Sequence, residues 1–579
     1  MRPTFSLFLL APTGCLTVPV EYTGEDNPTI DHDRDGFVEL PSDGKPADCA
    51  PDDPARFPTA PEFCDGRWNN CATQDSWGST LEAGTVTFFD LKGRPADLTD
   101  AWKQAATTRN PLRVTLDEPG TLSVCGGEWP VSIAVTSADV HLQGLGTDEA
   151  PAVLSGAGQS TVVHIDAPGA VHIEGLQISD GVGTAASPAG GIQVDRGVVQ
   201  LTASTLSGNK GQAGGGIHVV DQLALFDVRV EGNEATVGHG GGIFVAESGQ
   251  LWADGLHATD NHTVVGLRDL ADSPRGGAIA NLGTATVRRS TLSTSVATGG
   301  GGIYNAGELD LSDTSLRDNY GGEGGAVSTT AGSTTRIWRT TMSGNTIGGG
   351  GDGGALFNAG DTSLADSDLV FNWAADRGGG VFNASTGTLA VTGTTLASNF
   401  ALEGGNFTDE GTSTWSDCLL TAGIAQTGGG LYTNQHGHTT LHDVAIWSNR
   451  ARPDDPGTGD DGHGGGGVAV RGGTLVCTAS EDFRGPDEEL APVFTANTSD
   501  AVPAGAMVVA EAIDLQTFVN FDGCSFGGGD QANTPVTVHL AFRGVQYALE
   551  GFGGELVCDL DRCTCDGGDC PTPDDTVTP

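Results

Sequence analysis

Apolar residues occur at alternate positions in short runs such as Leu223-Ala224-Leu225, Leu309-Asp310-Leu311 and Leu389-Ala390-Val391. Alternation with period two over so few residues predicts strands, and no window of the region carries the i, i+3, i+4, i+7 stripe of a helix. The runs recur about every 25 residues, in phase with two phrases. The first is Gly-Gly-small-apolar, often followed by an aromatic and an Asn, as in Gly241-Gly242-Ile243-Phe244, Gly301-Gly302-Ile303-Tyr304-Asn305 and Gly379-Gly380-Val381-Phe382-Asn383. The second is an apolar residue three before an Asn, as in Leu206/Asn209, Val230/Asn233, Leu369/Asn372 and Leu396/Asn399. A fixed period in this range means a solenoid.

About 25 residues at ~3.3 Å each make a closed coil, and stacked coils are spaced by ~4.8 Å. Each coil supplies two or three short strands. An Ile or Leu at the same phase of every coil forms an inward ladder that one coil cannot bury alone. Gly suits the sharp corners, and Asn tolerates the left-handed region and bonds its own backbone. The expected fold class is all-β: a right-handed, single-stranded parallel β-helix. If Ile303 and Asn305 point inward, Tyr304 points out. The same phase carries Phe244, Phe357, Phe382 and Tyr432, which makes these five rings candidates for stacking on a ligand.

The phrase pair resembles the repeats of chlamydial polymorphic membrane proteins, and more broadly the right-handed β-helices of the pectate-lyase type. The clear repeats cover roughly residues 190–500, with weaker coils such as Val171-His172-Ile173 before them. The resemblance implies the fold and says little of activity.

The chain has 579 residues and a formal charge of −47, which disfavours nucleic acid and anionic lipid as partners. No apolar stretch is long enough to span a bilayer as a helix. Arg2, the apolar run Phe5 to Ala11 and Gly14-Cys15 resemble a bacterial lipoprotein signal, in which Cys15 is lipidated. The expected location is the outer membrane facing outward, with secretion as the alternative; the membrane is met only through the lipid. Of twelve Cys, seven cluster at the ends (Cys49, Cys64, Cys71, Cys558, Cys563, Cys565, Cys570), a pattern read as disulfides in an oxidising compartment.

Residues 31–39 read Asp31-His32-Asp33-Arg34-Asp35-Gly36-Phe37-Val38-Glu39. Carboxylates at positions 1, 3 and 5 before a Gly match the front half of a calcium loop, with the Phe37 carbonyl and Glu39 as the next ligands. Position 12 is Ser42, so Asp43 or Asp48 would replace the missing bidentate Glu. With Asp48-Cys49, Pro61-Glu62 and Cys64-Asp65-Gly66, the segment resembles the metal-binding motif of the MopE type. A Ca²⁺ ion with a structural role is therefore expected; a solvated acidic linker is the plainer alternative.

No nucleophile, base and oxyanion donor are placed together by the sequence. The Gly-His-Gly phrases at His239 and His463 fall inside corners. His436, His438 and His442 form a cluster best read as outer-face and turn residues. Asp366, Asp368, Asp376 and Arg377 are the nearest approach to an acid–arginine site. The expected organisation is a signal (1–15), an acidic module with Cys (16–80), a linker and N-terminal cap (81–130), the β-helix (131–550) and a Cys-rich cap and tail (551–579). The expected function is non-catalytic binding or adhesion toward glycans or an envelope protein; the alternative is a polysaccharide lyase or glycoside hydrolase.

Overall fold

In the computed structural model of the protein, the described residues are 85–264, 273–452 and 464–480, with short stretches elsewhere, among them 31–38, 47–48, 50–54 and 56–58, residue 64, and strands between 494 and 567. Cys15, Glu39, Asp43 and His463 lie outside the described residues. The chain divides into two units, residues 1–83 and 84–579.

The second unit is a parallel β-solenoid of about 12 turns. Each turn lays one strand on each of three faces. On the first face Ile217–Val219, Ile243–Val245, Ile279–Asn281, Ile303–Asn305 and Val327–Thr329 follow one another in parallel. The register is set by like on like: Ile217, Ile243, Ile279, Ile303 and Val327 stack directly and are fully buried. The second face repeats this with strands such as Glu308–Ser312 and Thr334–Trp338, whose burial alternates as the sequence does. The third face carries three-residue strands such as Ser315–Arg317 and Thr341–Ser343 around a central Leu316 or Met342.

The corner between the third and first faces is built by Asn. Asn209, Asn233 and Asn261 form one ladder of side-chain amides at 3.0 Å, and Asn319, Asn345, Asn372 and Asn399 another. Each amide also donates to a carbonyl of the preceding turn, as Asn372 Nδ2 does to Met342 O at 2.9 Å. The residue before each Asn is left-handed, for example Gly208, Asp318 and Ser398. Between Asn209 and Asn449 two turns depart: Ser295 stands between Asn261 and Asn319, and Gly423 stands where its neighbours Asn399 and Asn449 have Asn. The side chain of Asn406 fills the gap, accepting from Asn399 (2.9 Å) and donating to Asn449 (3.0 Å). After the corner, Gly378 takes φ 62°, and a Cβ on Gly379 would collide with the Gly405 carbonyl oxygen. These are the steric reasons for the Gly pair.

Antiparallel strands finish the stack at both ends. Val86–Asp90 pairs with Gly120–Cys125, and helix Thr99–Thr108 brings Trp102 against Trp129, centroids 6.0 Å apart. At the other end Arg562–Gly567 pairs antiparallel with both Val538–Ala541 and Gly554–Asp559. A reversed strand ends the parallel ladder and blunts the edge against pairing with another chain. Cys64, Cys125 and Cys477 are each disulfide-bonded, so bonded cysteines also occur within the solenoid and not only in the terminal clusters; Cys418 is free and buried.

Candidate functional site

The acidic loop of the first unit gathers the carboxylates of Asp31, Asp33 and Asp35, each offering an oxygen within 4.8 Å of the others. The backbone makes this close approach. Asp31 Oδ1 accepts from the Arg34 N–H (2.6 Å) and Asp35 N–H (3.2 Å), and Oδ2 accepts from the Gly36 N–H (2.9 Å). Arg34 and Gly36 both take positive φ, 69° and 95°. Asp33 and Asp35 each accept one backbone N–H through Oδ1, while their Oδ2 atoms are buried with no hydrogen-bond partner. Burial, then the charges of Asp48 and Asp31, raise Asp33 to about 6; burial, then Asp33, Asp48 and Asp31, raise Asp35 to about 6. Asp48 is itself buried, held where its N–H donates to the Val38 carbonyl (2.9 Å). Phe37 stacks on Phe57 at 5.4 Å and closes one side of the loop. Three mutually repelling carboxylates, two of them with an orphaned oxygen, are a group that could hold a hard divalent cation. Among the described residues it is the only such group.

The outward rings of the first face are largely covered, which corrects the picture of an open aromatic row. Tyr304, Phe382 and Tyr432 are buried, and Phe244 and Phe357 are half-buried. The cover comes from the residue just before each Gly pair. Arg275 lies 5.0 Å over the Tyr304 ring and His239 stacks on it at 5.8 Å; Arg377 lies 4.6 Å over Phe382, which stacks on Phe357 at 5.4 Å. His239 Nδ1 accepts from the Arg275 N–H at 3.0 Å, a structural role.

The acid–arginine group is also rearranged. Arg377 binds Asp352 through Nε (3.1 Å) and Nη2 (2.7 Å), meets Glu410 through Nη1, and has Asp376 at 3.8 Å. Asp366 instead accepts from Trp338 Nε1 (2.8 Å), and Asp368 is exposed on the third face. Glu403 is held above the usual carboxylate range by burial and by Asp376. His436 is in a turn, while His438 and His442 lie outward on strand His438–Trp447, with His442 bonded to Thr478 at 3.0 Å.

A feature missed from the sequence is the residue after each corner Asn. Tyr320, Thr346, Trp373 and Phe400, with Val296 after Ser295 and Ile424 after Gly423, form a fourth, very short parallel ladder. Among the described residues four of the five exposed aromatic rings sit at this corner: Tyr320, Phe371, Trp373 and Phe400. The signal was present, since an aromatic directly follows Asn319, Asn372 and Asn399. Among the described residues no helix is long and apolar enough to cross a membrane. Comparison of the chain with protein-family models and with curated proteins finds no match to either.

Proposed function

We propose that the chain is a non-catalytic binding surface for saccharides, held outside the cell and carrying a structural Ca²⁺ in its acidic loop. The observation that carries this reading is the gathering of four of the five exposed aromatic rings among the described residues on one corner of the solenoid, while the outward rings of the first face are largely roofed over. Rings exposed together on a scaffold mark an interaction surface. Disulfide-bonded cysteines support an oxidising, extracytoplasmic setting. A lipid anchor at Cys15, an outer-membrane position and an envelope protein as alternative partner belong to the same reading. A glycan array probed with the full chain tests it: saccharide binding is expected, and binding to none contradicts it.

For calcium, Asp31, Asp33, Asp35 and Asp48 supply the carboxylates, with Glu39, Asp43 and the Phe37 carbonyl as further candidates. Isothermal titration with Ca²⁺ alone should give one site, weakened at least ~10-fold by Asp33→Asn, since each carboxylate supplies a large share of the charge. Equal heats for the variant and the parent chain would contradict the assignment.

The group of Asp352, Asp376, Arg377 and Glu410 favours the second reading, a polysaccharide-cleaving enzyme. Arg377 is already bound by two carboxylates, which supports a structural ion-pair network instead. Release of reducing or unsaturated ends from polysaccharide by the purified chain would replace the binding reading.

A further inference from the structure

We infer that the corner formed by Tyr320, Phe371, Trp373 and Phe400 is a stacking platform for an extended, neutral, β-linked hexose polymer lying along the solenoid axis; this rests on the saccharide-binding reading above. Phe371 is the first observation. It occupies the left-handed corner position at φ 57°, where other turns place smaller residues such as Gly208, Asp260, Thr294, Asp318, Ser398 and Ala422. A bulky residue is strained there, and Phe371 is 69 % exposed, so burial returns nothing for the strain. Gly or Asp at this position would relieve the strain, so the ring points to a use outside the fold.

Geometry is the second. Thr346, Trp373 and Phe400 are paired in register on successive turns, and Tyr320 pairs with Thr346 below them. Tyr320, Trp373 and Phe400 are between 39 % and 45 % exposed. The turn that lacks a ring carries Thr346 in its place, with Gly348 two residues on; a Cβ on Gly348 would collide with the Tyr320 hydroxyl, so the Tyr320 ring leans over that turn. Successive turns rise by ~4.8 Å. That is close to the length of one hexose in an extended β-linked chain, whose flat apolar faces stack on aromatic rings.

Charge is the third and selects the occupant. Residues 318–324, 345–354, 371–379 and 398–405 contain Asp318, Glu323, Asp352, Asp376 and Glu403 against one cation, Arg377, which Asp352 and Glu410 already hold. An acidic polysaccharide is repelled from such a corner, and so is the same corner of a second copy.

The test titrates cellohexaose, laminarihexaose, hexa-N-acetylchitohexaose and hexagalacturonate into the full chain and into Phe371→Gly and Trp373→Ser/Phe400→Ser. At least one neutral hexasaccharide should bind, with Kd raised 10-fold or more in the double variant and several-fold in Phe371→Gly, while Phe371→Gly melts no lower than the parent. Variants that bind neutral sugars like the parent, or hexagalacturonate bound more tightly than every neutral chain, overturn this platform and leave the saccharide-binding reading standing. Absence of binding to any saccharide on the array overturns both.

Discussion

The corner ladder has two halves that share one backbone and differ in what they show to solvent. Through residues 210–262 it carries Lys210, Glu234 and His262: Lys210 pairs with Glu234 at 2.9 Å, and His262 Nε2 lies 3.9 Å from the same carboxylate. Through residues 320–400 the same positions carry Tyr320, Trp373 and Phe400, and the preceding left-handed position carries Phe371. The inward partners are almost unchanged across the divide: Asn209, Asn233 and Asn261 below, Asn319, Asn345, Asn372 and Asn399 above. A fold that runs equally well over both halves does not need the rings. The difference therefore separates two jobs that adjacent residues perform, with Asn holding the corner and its neighbours free to meet a ligand.

The largest effect should come from breaking the inward side. Asn406→Gly removes the amide that spans the gap at Gly423 and leaves Asn399, Asn449 and the Thr421 carbonyl short of partners. Three bonds, two of them buried, at ~1 kcal/mol each put the loss near 3 kcal/mol, measured by chemical unfolding. A smaller effect tests the covered rings of the first face. His218 packs against Phe244 at 4.9 Å, and burial lowers its pKa from 6.5 to about 4, against the pull of Asp195. A depressed imidazole favours the folded state fully above pH 6.5, and that contribution is lost as pH falls toward 4. By pH 5 the loss is about 2 kcal/mol. His218→Gln should flatten the acid side of a Tm-against-pH curve, and an unchanged slope would show that the ring is not desolvated.

Smaller still, and of opposite sign, Phe371→Gly should stabilise the chain by about 1 kcal/mol by relieving a left-handed side chain. A destabilised variant would mean that the ring is part of the fold. The smallest effect belongs to the polar half: Glu234→Ala removes the half-buried partner of the exposed Lys210 and should change stability by less than about 1 kcal/mol, with no change in saccharide binding.

The inward half of this comparison was legible in the chain. A Leu three before an Asn and an Ile after two glycines have one geometric meaning when they repeat, so the strands, their parallel stacking and the Asn corners follow from periodicity alone. The acidic loop was legible for the same local reason: Asp31, Asp33 and Asp35 meet because Gly36 bends the backbone. The outward half was less so. Alternation correctly sends Tyr304 and Phe382 away from the core, but it is blind to Arg275 and Arg377, which belong to neighbouring loops and roof those rings over. The Asn406 graft was hidden because its slot is filled from a different phase of the repeat. Trp373 and Phe400 were passed over because a ring after Asn is occasional, and occasional features carry no period.

Asn372 and Trp373 are neighbours in the chain on opposite sides of the corner, so calorimetric unfolding of Asn372→Ala beside Trp373→Ala tests the separation directly. Asn372 makes or accepts bonds with Met342, Asn345 and Asn399, whereas Trp373 is exposed. The melting temperature should fall by several degrees for Asn372→Ala and stay within about 1 °C of the parent for Trp373→Ala. Equal falls for the two variants would contradict the division of labour.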